Sequence, residues 1–252
     1  SLKKLVRKFG LNYRRCRDLG RYHFKADHFK EASRWLEKAF TFDEGNHDLR
    51  LLLALSYARQ KKFPEAEKHV NFILAEKPKS FAGLINLCEF TIESGDLDKA
   101  ETILEKIEKA YRGNSRASLA RGEILLHRDD PAEAEKRLRS GIKGTPYYYR
   151  WELERGYRLL AESLQRQGEN REGEFYALLS DSLHGAPDAY QAFITLAENR
   201  IGEEDLETAS RVIGLLEGMF PNNTRITIAQ ARIDIWKGYA SRAIEKLNRQ
   251  LE

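Results

Sequence analysis

Residues 47–80 read HDLRLLLALSYARQKKFPEAEKHVNFILAEKPKS. The stretch predicts two helices joined by a turn. Leu53, Ala54 and Tyr57 share a face of the first, and Ala66, Val70 and Ile73 stand at i, i+4 and i+7 on the second, so each helix carries one apolar stripe. Neither stripe can be buried by its own helix, so the two must pack as an antiparallel hairpin. Pro64 stands at a helix start, where its missing N–H costs nothing, and Pro78 ends the second helix.

Working outward, the pattern repeats. Ala32, Ala66, Ala100 and Ala134 are each 34 residues apart; after five extra residues, 149–153, the equivalent position is Gly173, and the alanine returns at Ala209 and Ala243. This phasing divides the chain into seven hairpins, 13–46, 47–80, 81–114, 115–148, 154–187, 190–223 and 224–252, preceded by a short amphipathic helix over 1–12 (Leu2, Leu5, Val6, Phe9). All six prolines fall at helix starts or repeat ends. An unrelated helical bundle would need no constant period.

The remaining composition sets limits. With 33% charged residues, no apolar run reaches the ~18 residues of a membrane-spanning helix. No apolar block follows Lys3-Lys4 as a signal peptide requires, which leaves the compartment open and favours a cytoplasmic setting. Cys16 and Cys88 are too few and too far apart for a disulfide framework or a CxxC site. Residues 1–34 hold eleven Lys and Arg against three Asp and Glu, a net of +8 in a chain whose total is +4.

The repeat unit resembles the tetratricopeptide pattern W-x2-L-G-x2-Y, A-x3-F, A, P. The residues that carry it are Leu19-Gly20 and Ala32-x3-Leu36-x2-Ala39, then Leu53-Ala54-x2-Tyr57, Ala66 and Pro78, and later Leu196-Ala197, Ala209, Ile213 and Pro221. The resemblance implies an all-α fold, an α-solenoid of about seven hairpins wound as a right-handed superhelix. It also implies a non-catalytic protein-binding scaffold without cofactor, in which positions 2, 5, 9, 12 and 13 of each repeat face a concave groove.

Those positions nominate a partner-binding groove. Position 9 supplies Glu89, Glu123, Glu162 and Glu198; positions 5 and 12 flank them with Ile85, Ile92, Leu119, Leu126 and Ile194, while the first repeats offer Leu51, Leu55 and Phe24. An acidic groove with apolar flanks suits an amphipathic segment bearing basic residues. One end is instead basic, with Arg14, Arg17, Arg21, Lys25 and Arg59 placed to take a carboxylate, a phosphate or nucleic acid. A third candidate is an aromatic patch at Tyr148, Trp151 and Tyr157.

Catalysis finds little support. Asp181, Ser182 and His184 crowd one helix end, where their side chains diverge, and His23, Asp27 and His28 have no further metal-ligand type nearby. Three functional expectations follow: a scaffold for a polypeptide segment, an adaptor or oligomerisation module of a longer parent chain, and, opposed by the acidic groove, a nucleic-acid-binding solenoid using the basic first repeat.

Overall fold

The computed structural model describes residues 12–146, 149–184 and 189–249; the amphipathic segment ahead of residue 12, Tyr148 and Pro187 lie outside them. The described residues contain fourteen α-helices and no strand. The chain divides into two compact units, Ser1–Gly113 and Asn114–Glu252. The first holds α1 (Tyr13–Lys25), α2 (Phe29–Phe40), α3 (His47–Ala58), α4 (Phe63–Glu76), α5 (Phe81–Glu93) and α6 (Leu97–Ala110). The second holds α7 (Ser115–His127), α8 (Pro131–Gly144), α9 (Arg150–Arg166), α10 (Asn170–Leu183), α11 (Ala189–Gly202), α12 (Leu206–Met219), α13 (Thr224–Trp236) and α14 (Ala240–Arg249). Within each unit, successive helices pair as antiparallel hairpins that stack side by side.

Helix starts are written locally. Asn12, Asn46 and Ser80 accept backbone N–H bonds from residues 15, 49 and 83 (2.9, 2.9 and 3.3 Å). In the second unit Asn114 does the same for residue 117 at 3.1 Å. Each cap satisfies a donor that the first helical turn leaves open. The turn inside each hairpin uses the left-handed region, at Asp27 (φ 58°), Lys61 (58°) and Gly95 (87°), again 34 residues apart. Asp27 and Lys61 thus carry about 1 kcal/mol of Cβ strain that Gly95 escapes.

The hairpin contact explains the alanine period. Ala32, Ala66, Ala100, Ala134 and Ala209 are completely buried, and the small residue across from them is equally constrained. A Cβ on Gly20 would stand 2.7 Å from the Leu36 side chain, and one on Gly122 2.5 Å from Leu138. Gly173, where the period lacks its alanine, follows the same logic: a Cβ there would meet the Gln165 side chain at 2.8 Å and the Ala161 carbonyl at 3.1 Å. The extra residues 149–153 lengthen α9 by a turn, because Leu153 and Tyr157 are i, i+4 and enter one core with Phe193.

In the first unit, His69 stacks on Tyr57 (5.8 Å between centroids, 7° between planes), and Tyr57 donates its hydroxyl to Glu37. Arg50 covers Phe72 (3.5 Å) and Phe40 (4.5 Å) nearby. Burial, reinforced by Arg50 and Lys68 and opposed by Glu37, lowers the His69 pKa from its ordinary 6.5. Between the lowered value and 6.5 the unfolded chain therefore binds more protons than the folded one, so stability must fall as pH falls through that window. Thermal unfolding across it is expected to show a loss for the wild type that is smaller for His69→Phe; identical slopes would remove His69 from the account.

Candidate partner-binding groove

The four glutamates sit in more constrained surroundings than a free acidic groove requires. Glu89 is buried. Glu123 is buried and accepts from the Arg155 guanidinium; Glu162 accepts from Arg166 at 2.6 Å; Glu198 pairs with Arg225 at 3.2 Å, which also donates to Gln191 at 2.7 Å. Arg155 and Arg225 occupy position 2 of the following repeat, so within the second unit position 9 meets position 2 across adjacent first helices. Glu162 instead pairs within α9, and it and Glu198 remain half-exposed.

The apolar flanks are enclosed. Ile85, Ile92, Leu119, Leu126 and Ile194 are all buried. Leu119 and Leu126 pack with Leu159, Leu160 and Leu164, and Ile194 joins the Phe193 core. Leu119, Leu126 and Ile194 thus serve the packing of neighbouring hairpins. In the last described repeat the same two positions, Ile228 and Ile235, are 46% and 56% exposed.

An open groove exists at the other end of the chain, between α1 and α3. Leu51, Leu52 and Leu55 of α3 remain half-exposed and face Tyr22 and Phe24 of α1. With Asp18, Arg21, Lys25 and Asp48 they line a cavity of about 640 Å³. A second pocket of about 140 Å³, lined by Tyr13, Arg17, Arg21, Asn46, Asp48, Leu49 and Leu52, adjoins it through the shared Arg21, Asp48 and Leu52. Tyr22 and Leu52 stand at positions 10 and 6, outside the inward set implied by the family.

The basic residues divide into engaged and free. Asp18 accepts from Nε and Nη2 of Arg17 (2.9 and 2.8 Å) and lies 3.8 Å from Arg14 Nε. Among the described residues Arg21 and Lys25, both exposed, meet no carboxylate. Arg59 lines neither pocket; its guanidinium lies 6.0 Å from the centre of the Phe29 ring.

The aromatic patch breaks up. Trp151 is 44% exposed, but Tyr157 is 2% exposed, stacked on Tyr176 at 5.8 Å and edge-on to Phe193 at 6.0 Å. Tyr157 is a core residue, its hydroxyl pKa raised by burial and then by Tyr176. Ser182 Oγ donates to the Leu179 carbonyl at 2.7 Å, whereas His184 Nδ1 meets Glu154 at 3.2 Å; the two are not assembled into a relay. Among the described residues no three His, Cys, Asp or Glu are arranged to hold a metal ion, and no helix is long and apolar enough to cross a membrane.

Two tetratricopeptide repeat family models match the chain, over residues 17–81 and 91–146. Among solved structures, the chain is similar to TTC0263, a thermophilic TPR protein of Thermus thermophilus (TM-score 0.59, 17% identity, covering 74% of this chain and 98% of that one). It is also similar to a chain of the APC/C hetero-tetramer Cut9-Hcn1 (0.59, 14%, covering 100% and 45%) and to Pseudomonas aeruginosa pilF (0.51, 18%, covering 87% and 96%). At these identities the likeness is one of fold. No curated protein is significantly similar in sequence.

Proposed function

We propose, because this chain is a tetratricopeptide-repeat protein and such repeats serve as protein-interaction scaffolds, that it works without catalysis by holding a partner's polypeptide segment in the groove between α1 and α3. One observation carries this reading. Leu51 is half-exposed where Ile85, Leu119 and Ile194 at the same repeat position are sealed, and it stands with Leu52 and Leu55 beside a cavity of about 640 Å³. That volume lies within the range of concave, largely apolar sites that hold ligands. An adaptor role within a longer chain is compatible with the same groove and needs no separate site.

The test uses random peptides displayed on phage and selected on the wild-type protein. Leu55→Lys places a charge on the cavity wall at a half-exposed site, so the fold should survive, as circular dichroism would verify. The selected peptides are expected to bind this variant at least about tenfold more weakly, about 1.4 kcal/mol. Undiminished binding would exclude the groove.

A further inference from the structure

Resting on that reading of the groove, we infer that its occupant is an acidic amphipathic segment: an apolar anchor flanked by side-chain carboxylates. This reverses the basic partner that the row of glutamates suggests by sequence. The argument begins with what remains unneutralised around the cavity. Of its two acids, Asp18 is claimed by Arg17 and approached by Arg14. Asp48 lies in the first turn of α3, where the positive end of the helix dipole compensates it. Among the described residues the two cations, Arg21 and Lys25, have no carboxylate against them; Lys25 closes the last turn of α1, whose negative end compensates it in part, whereas Arg21 lies before that turn.

The geometry adds a register. Arg21 and Lys25 are i, i+4 on α1, about 6 Å apart along its axis, which matches carboxylates one turn apart on a helix or two residues apart on a strand. Arg21 lines both pockets, whereas Lys25 lines only the larger. An apolar side chain seated on Leu51, Leu52 and Leu55 thus places one neighbouring carboxylate at Arg21, beside the small pocket with Tyr13 and Asn46, and a second at Lys25. A planar guanidinium can hold a carboxylate through two parallel hydrogen bonds, and the ammonium adds a point charge. Apolar burial supplies affinity, while the charges set orientation and speed of encounter.

Three short peptides blocked at both ends test this, sharing one leucine-rich anchor and carrying Glu, Gln or Lys at the flanking positions. Binding is measured by fluorescence anisotropy. The Glu peptide is expected to bind at least about tenfold tighter than the Lys peptide at ~50 mM salt, with the gap closing above ~0.5 M as screening sets in. In Arg21→Gln/Lys25→Gln the gap between the Glu and Lys peptides should vanish; both residues are exposed, so folding is not at risk. Equal binding of all three, or preference for Lys, overturns the acidic partner but leaves the groove. Failure of all three on the wild type removes the groove as well. A single-stranded oligonucleotide bound more tightly than the Glu peptide would also overturn the inference, in favour of nucleic acid.

Discussion

Glu123→Lys is expected to lower the unfolding free energy of the unit Asn114–Glu252 by about 3–5 kcal/mol, the range for stripping one partner from a buried ion pair. The side chains of Glu123 and Arg155 are only 12% and 19% exposed. Reversing the glutamate sets a second cation against the largely covered Arg155 guanidinium between α7 and α9. The same reversal at Glu198 offers the comparison. That pair with Arg225 is 41% and 48% exposed, so its loss should cost only about 0–1 kcal/mol. Urea denaturation of the two variants measures the difference. If Glu123→Lys were as mild as Glu198→Lys, the burial argument would fail and Glu123 would return to the surface as a candidate partner contact. Replacing Glu123 and Arg155 together by Met and Leu should recover most of the loss, because both members of the pair are then removed.

Ala66→Trp and Ala209→Trp should each cost about 3 kcal/mol or more, the upper end of what overpacking does in a close-packed interior. Both alanines are completely buried at the crossing of the two helices of their hairpin. No side chain beside Ala66 can yield without moving α3 from α4, since Leu53, Val70 and Ile73 are themselves buried. Ala75→Trp, on the exposed face of the same α4, is the control and should stay within about 0.5 kcal/mol of wild type. Melting temperatures unchanged in both buried variants would contradict the alignment of helix on helix.

These expectations show which part of the protein was legible in its residues. The alanines at 32, 66, 100 and 134, the small residues opposite them and the prolines at helix boundaries are local requirements. A hairpin closes only if its own two helices can touch, and both are written within one 34-residue unit. The capping asparagines at 12, 46 and 114 obey the same period and announce every first-helix start they precede. The sequence by itself therefore determined an all-α chain of tetratricopeptide hairpins, and the resemblance assigned Leu51, Leu55, Arg21 and Lys25 to positions that face inward in that family.

Tertiary structure decided which inward positions stay open. Ile85, Leu119 and Ile194 share one repeat position with Leu51, yet they are sealed and Leu51 is not. Glu123 and Glu198 likewise share theirs, but one is buried and the other half-exposed. Periodicity assigns a direction to a side chain; its exposure depends on how closely the next hairpin approaches, and that distance is set by residues a whole repeat away. Tyr157 is the same case in reverse, an aromatic among arginines that reads as surface until Tyr176 and Phe193, 19 and 36 residues further on, close over it.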